Sequence, residues 1–454
     1  VSKTQIILIA VVVLVVGALL GFVIGRSGGA DINKTVAIDS KGVTSDVYNP
    51  DSYKKLYPLQ YESYMEAKNY PEGRDKPGDF GGDKLFDHKE RQTGLPVLFA
   101  ANAFSKDYKD DRGHVWALED LYASLRVTRD DSLPTATKGA CITCKSPYLE
   151  QLYKDYPGNG GWDYAKQPFA DIEAKVPVDH GSINCATCHD PQTHELRVVN
   201  KALIEAFALL PEYNYDLSEN AAVKPSTQDM RSLVCAQCHV EYYFEPGSFK
   251  VIFPWTEGWT PQEQYKYYEK QLADTSTTAF KRDFVHGVSE ALILKAQHPD
   301  FETWITGTHG KAGVSCADCH MPFMAKNGEK YSTHDVTSPL RTVKESCMTC
   351  HNQTEDWLIE SVTSLQDNFW FTQHEAEQAV VELHNTIKAA KDAGIDSALI
   401  EKAQKQVRQA QWYWDFLAAE NSMGFHNPDQ GMQTAMEAVV IAKNMTLELA
   451  KAMK

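Results

Sequence analysis

Cys141-Ile142-Thr143-Cys144-Lys145 is the stretch on which the reading of this chain turns. Two cysteines three apart, followed at once by a ligand-bearing residue, have the spacing that attaches a c-type haem, but lysine stands where that motif carries histidine. Four further pairs keep the histidine: Cys185-Ala-Thr-Cys188-His189, Cys235-Ala-Gln-Cys238-His239, Cys316-Ala-Asp-Cys319-His320 and Cys347-Met-Thr-Cys350-His351. All ten cysteines of the 454 residues are consumed by the five pairs, so no thiol is left for a disulfide or a separate metal site. A zinc ribbon would need two pairs close together, whereas these begin 31 to 81 residues apart. A thioredoxin-like motif would need one pair only. The arithmetic predicts a multihaem cytochrome c with five covalently attached haem c groups.

Haem changes what the length implies. Five macrocycles would fill much of the interior, so short helices and loops can wrap them without a conventional sheet or bundle core. The expected fold is mainly α, with an N-terminal transmembrane helix and long C-terminal helices. A formal charge of −16 excludes nucleic acid as a natural partner, though not a small anion in a locally basic pocket.

Ile6 to Ile24 is free of charge, and 19 residues at 1.5 Å each nearly cross a hydrocarbon core of about 30 Å. The run is longer than a usual signal-peptide core and no clear Ala-x-Ala cleavage site follows before Asp31, which favours a retained membrane anchor over a cleaved signal. Covalent haem is installed outside the cytoplasmic membrane, so the remainder is expected on that side, the periplasmic one. The chain divides into an anchor or uncleaved signal (1–27), a tether (28–48), a haem-bearing catalytic region (49–352) and a long-helix region (353–454).

From Asn49 to Asp130 the weak periodicity predicts irregular coil with short helices, one of them over Ala117–Arg126 on the spacing of Leu118, Leu121 and Leu125. After His351 no proline occurs until Pro428, and Ala, Gln, Glu, Lys and Leu dominate. Helices are predicted over Asp356–Asp392, Asp396–Asn421 and Asp429–Met453. The apolar stripes Leu383, Ile387, Ala390 and Val407, Ala410, Trp414, Leu417 are either core or a partner-helix seam.

Lysine at one site changes the chemistry expected there. An iron with two imidazole ligands is coordinatively full and suits electron transfer, whereas catalysis needs an open position. An amine binds metal only after losing its proton, which an exposed lysine keeps up to about pH 10. Lys145 could instead be a solvated side chain whose haem takes another ligand. Eleven of the fifteen histidines lie outside the motifs, enough for four distal ligands, but counting does not say which four. In isolation His114 would be a satisfied surface or core histidine, Arg126 a solvated helix residue, His298 the end of a helix before Pro299, and Tyr242 and Tyr243 haem-edge packing.

These motifs, in this order, resemble the pentahaem, ammonia-forming cytochrome c nitrite reductases. The resemblance runs from about Arg112 to Pro428 and includes Val240-Glu-Tyr-Tyr-Phe244, Leu294-Lys-Ala-Gln-His-Pro299 and Gly424-Phe-His-Asn-Pro428. It implies six-electron reduction of nitrite to ammonium at the lysine-ligated haem, with Arg126, Tyr242 and His298 around the substrate beside Lys145. It implies distal ligands His334, His114, His426 and His309 for the second to fifth haems. It also implies a calcium ion held by the side chains of Glu241 and Gln297 and the main-chain carbonyls of Tyr242 and Lys295, steadying Tyr242 and His298. His88, His180, His194, His286, His374 and His384 are left structural or at the surface. Hydroxylamine, nitric oxide and sulfite are implied side substrates, a homodimer through the C-terminal helices the implied assembly, and a membrane-bound tetrahaem quinol dehydrogenase the implied electron donor. Three rivals stay in view: a multihaem reductase of another oxyanion, an electron carrier whose lysine haem is six-coordinate and inert to nitrite, and a tethered scaffold without redox activity.

Overall fold

Three long helices carry the C-terminal region, and local signals set their ends. Glu355–Asp392 begins where Thr354 Oγ1 accepts the Trp357 amide, and it stops at Gly394, whose φ of +73° suits a residue without Cβ. Ser397–Ala419 is capped by the Asp396 carboxylate, and Pro428–Ala452 by Asn427 with proline in its first turn. The predicted bounds lie within two residues of these. At 1.5 Å per residue the first helix, 38 residues long, extends about 57 Å.

The computed structural model describes residues 46–454 except 70–86, 110–111, 129–137, 179–181, 211–216 and 218–223. The expected anchor, Ile6–Ile24, and nearly all of the tether lie outside the described residues. Among the described residues no helix is long and apolar enough to cross a membrane.

The three long helices pack on one another through a core that includes Phe369, Val380, Leu383, Ile387, Val407, Trp414, Ala438, Ala442 and Leu449. Both predicted stripes are buried in this core, so they are interior rather than a seam left open for a partner. The large apolar side chains exposed on these helices are others: Trp357, Phe371, Met436, Val440 and Leu447.

Ahead of them, among the described residues, short helices, 3-10 turns and three two-stranded hairpins alternate. Tyr243–Phe244 pairs with Val251–Ile252, Phe284–Val285 with Leu292–Ile293, and Phe323–Lys326 with Glu329–Ser332. A second core, with Leu118, Ile142, Leu152, Trp162, Tyr164, Ile172, Leu203 and Trp255, lies under the first cysteine pair. The single helix predicted over Ala117–Arg126 is two. Ala117–Ala123 ends at Ser124, which is extended with ψ 143°, and Leu125–Thr128 follows. Ser124 Oγ donates to the Leu121 carbonyl at 2.8 Å, and Asp107 accepts the Leu125 amide at 2.9 Å, so side chains replace the helical ladder there.

Candidate haem sites and catalytic pocket

Two of the cysteine motifs sit on single turns of helix, and the other three on hydrogen-bonded turns at or just past helix ends. Asn184 and Thr187 make a reciprocal cap on Cys185–Cys188, and Ser315 and Asp318 do the same for Cys316–His320. On such a turn residues i, i+3 and i+4 share a face, which points two thiols and the following ligand the same way. All ten cysteines line one continuous cavity of about 1710 Å³, together with Lys145, the four motif histidines and His114, His309, His334 and His426. Ordinary small-molecule pockets hold roughly 300–1,000 Å³.

Across this cavity the imidazoles face one another in pairs. Ring centres are 6.2 Å apart for His189 and His334, 6.2 Å for His114 and His239, 6.4 Å for His320 and His426, and 6.2 Å for His309 and His351. Two metal–nitrogen bonds of about 2.0 Å, with about 1.1 Å from nitrogen to ring centre at each end, add to about 6.2 Å. The residues therefore fit four irons, each held between two imidazoles. In several of these rings the far nitrogen is already engaged. Nδ1 of His189 lies 2.8 Å from the His194 carbonyl, that of His320 3.0 Å from Thr337 O, and that of His334 3.0 Å from Ser332 O. Those bonds leave Nε2 for a metal. Burial pushes His320 and His334 down to about 4, so both are neutral, as ligands must be.

Neighbouring thiols order the motifs in space. Cys144 lies beside Cys238, bringing the first motif next to the third, and Cys235 lies beside Cys316, bringing the third next to the fourth. The third motif is thus a neighbour of both.

Lys145 closes a tight turn, its amide donating to the Ile142 carbonyl at 3.0 Å. Beneath it Thr143 Oγ1 bonds the Ala140 carbonyl and Tyr164 Oη, each at 2.7 Å. Tyr242, Gln297 and His298 line the same cavity as Lys145. The His298 amide reaches Val240 O at 3.2 Å and the Phe301 amide reaches His239 O at 3.0 Å, so segments 239–242 and 297–301 are stitched together. Tyr242 also packs edge-on against Phe244, ring centres 5.5 Å apart. The backbone of Arg126 belongs to the Leu125–Thr128 helix, and its side chain lies outside the described residues.

Behind Tyr242 and His298 is a group of buried carboxylates. Glu241, wholly buried, accepts Tyr268 Oη at 2.8 Å and the Gln297 amide at 2.6 Å. Burial, then the nearby Glu302 and Asp283 charges, push its pKa well up. Glu302 accepts the Glu241 amide and Trp255 Nε1 on one oxygen, and its buried Oε2 has no partner. Burial lifts Glu302 to about 8 and Asp283 to about 7. The buried Lys295 ammonium is turned to Asp415 and Tyr108 instead. Gln297 Nε2 donates to the Lys295 carbonyl at 3.0 Å. A cation here would take the amide oxygen after a flip of that side chain. Hard oxygen donors around unneutralised carboxylates fit a divalent ion of the calcium type.

Comparison with known proteins bears on this geometry. Residues 49–454 match the family described as Cytochrome c552. The chain belongs to that family. It is similar to cytochrome c-552 of Bacteroides thetaiotaomicron, 35% identical over 398 residues that cover 85% of this chain and 75% of that one. It is similar also to the cytochrome c nitrite reductase subunit NrfA of Nitratidesulfovibrio vulgaris, 33% identical over 449 residues, covering 93% and 82%. Among solved structures it resembles the catalytic subunit of cytochrome c nitrite reductase from Desulfovibrio desulfuricans, a protein with two calcium sites. That match has a TM-score of 0.80 at 30% identity and covers 91% of this chain and 88% of the other. Family membership makes this cytochrome an oxidoreductase of the cytochrome c nitrite reductase kind.

The remaining histidines of this cytochrome divide. His88 packs on the Tyr108 ring and His374 on Trp370, while His180 lies outside the described residues. His286 and His384 are buried side by side. His194 is more than a bystander, because its carbonyl holds His189, its ring bonds Tyr57 Oη at 2.6 Å and it lines the cavity. Residue types alone did not reveal Asp300, whose carboxylate meets His239. Its place two residues after His298 was the available signal.

Proposed function

We propose that this cytochrome reduces nitrite to ammonium in a six-electron reaction at a haem attached to Cys141 and Cys144 and ligated by Lys145. The balance is one nitrite, eight protons and six electrons to one ammonium and two waters. Four further haems, ligated by His189 with His334, His239 with His114, His320 with His426 and His351 with His309, carry electrons to it. The observation that carries this reading is that four motif histidines each face a second imidazole across one cavity, at 6.2 to 6.4 Å. The motif with lysine stands outside those four pairs.

The haem at Lys145 supplies an open metal position and the electrons. The protein supplies the rest. Arg126 pairs with the nitrite anion and polarises its oxygens, while Tyr242 and His298 pass protons to them. Lys145 is an amine ligand and so must be held unprotonated there. A calcium ion on Glu241, Gln297 and the carbonyls of Tyr242 and Lys295 holds the two walls of the pocket in register. The segment Ile6–Ile24 anchors the enzyme at the periplasmic side of the cytoplasmic membrane, with a membrane tetrahaem quinol dehydrogenase as donor. A homodimer would use Trp357, Phe371, Met436, Val440 and Leu447, because the buried stripes are already spent.

The test is ammonium yield per nitrite consumed by haem-loaded protein, under anaerobic conditions with excess reduced viologen. Near one-to-one recovery is expected. No nitrite loss with five haems present would return the chain to the electron-carrier reading.

A further inference from the structure

The partners of the far imidazole nitrogens are not alike. Those of His189, His320 and His334 are neutral main-chain carbonyls. Nδ1 of His239 instead meets a carboxylate, Asp300 Oδ2, at 2.9 Å. Asp300 is 7% exposed and firmly held: Oδ1 accepts the Asn421 amide at 2.7 Å, and Oδ2 also accepts Asn421 Nδ2 at 2.8 Å. His426 has a carboxylate nearby too, Glu420 Oε1 at 2.9 Å, but Nδ1 there is not in hydrogen-bonding geometry. Asp300, Glu420 and His426 cluster within 4.8 Å, and of these carboxylates only Asp300 is an aligned acceptor for an imidazole, that of His239.

A buried anionic acceptor draws the Nδ1 proton toward itself and makes the ring a stronger electron donor through Nε2. A stronger donor favours the higher oxidation state of the metal it binds. The third motif also adjoins both the first and the fourth, through Cys238 and Cys235 respectively.

We propose that Asp300 sets the potential of the haem at Cys235 and Cys238, holding it lower than a neutral acceptor on His239 would. The proposal rests on His239 and His114 being ligands of one haem. Asp300 is a positioning and tuning residue that acts through His239.

The experiment is a spectroelectrochemical titration of the full haem-loaded chain, with wild type, Asp300→Asn and Asn421→Ala resolved into their low-spin components. Asp300→Asn removes the charge and keeps the shape. One low-spin component should rise in potential, by at least a tenfold change in its reduced-to-oxidised ratio at fixed potential, or 59 mV. Asn421→Ala removes a donor that competes for Oδ2, so the same component should fall. Unmoved components in both variants overturn the proposal, as do shifts of the same sign, which would mark general loosening. If Asp300→Asn does not mature, the fall in Asn421→Ala alone decides. Fewer than four low-spin components in wild type would overturn the ligand assignment, and this proposal with it, before any variant is read.

Discussion

His286 and His384 lie face to face, ring centres 3.6 Å apart and planes 17° from parallel. Neither is exposed. Nε2 of His286 donates to the Val97 carbonyl at 2.7 Å, while Nδ1 accepts the Ser289 amide at 3.1 Å. His384 bonds Ser289 Oγ at 2.8 Å and Gln411 Oε1 at 2.7 Å. Every ring nitrogen is satisfied with both rings neutral, and the pair ties the Glu355–Asp392 helix to the Phe284–Ile293 hairpin.

Acid should therefore loosen this junction. Burial pushes His286 down to about 4, and His384 well below its usual range by burial and then by its neighbour. The folded values lie below the unfolded one of about 6.5, so the unfolded chain takes up protons first. The stabilisation is complete above about pH 6.5 and is lost as pH falls toward 4. For His286 alone it is worth roughly 3 kcal/mol. Thermal midpoints measured from pH 7.5 to 4.5 should fall, and His384→Gln should flatten that slope. An equal slope in the variant would count against the pair.

Replacing Lys145 by histidine should leave haem attached, because Cys141 and Cys144 remain, yet lower ammonium formation by about tenfold or more, some 1.4 kcal/mol in barrier. Haem content by absorbance and ammonium yield separate the two effects. Unchanged turnover would mean that the lysine is incidental.

His334→Ala should open one further iron. The ring it removes faces His189 at 6.2 Å, and the far nitrogen of His189 stays bonded to the His194 carbonyl. The high-spin share of the resting spectrum should rise from one haem in five to two. A spectrum like that of wild type would mean His189 pairs elsewhere.

Much of this was legible locally. The five cysteine motifs, the odd lysine and the ends of the three long helices are written in neighbouring residues, since caps and periodicity are short-range. The pairing of His189 with His334 spans 145 positions and became readable only through resemblance. The break at Ser124 depended on Asp107, and the tuning of His239 on Asp300 and Asn421. Those depend on which segments meet, which periodicity does not encode. Burial likewise turned the two C-terminal stripes inward, where spacing alone allowed a seam.

Chelation should reveal the ion that the buried carboxylates fit. With Glu241 ionised and coordinated, about 100 times the dissociation constant of free calcium would add about 2.7 kcal/mol to stability. Strong chelator at neutral pH should then lower both the thermal midpoint and nitrite turnover, and added calcium should restore them. Glu241→Gln should bind less than one calcium per chain by elemental analysis. Wild type without calcium would remove the ion from the site.

Asp415 couples the C-terminal helices to the pocket. Its Oδ1 lies 3.1 Å from Lys295 Nζ and its Oδ2 accepts the Ala296 amide at 2.8 Å, so one carboxylate holds the two residues before Gln297 and His298. Burial works against the Lys295 charge, but Asp415 and Tyr108 outweigh it and keep the ammonium protonated. Asp415→Ala would leave a buried cation unpaired and free the segment at Lys295 and Ala296, at a cost of about 3–5 kcal/mol. Because the freed segment leads into Gln297 and His298, turnover should fall more than the loss of folded protein explains. Lys295→Met with Asp415→Leu removes both charges and should recover most of the stability, yet leave Ala296 without its acceptor. If the double variant recovers turnover as fully as stability, the main-chain bond from Ala296 is not what positions the pocket.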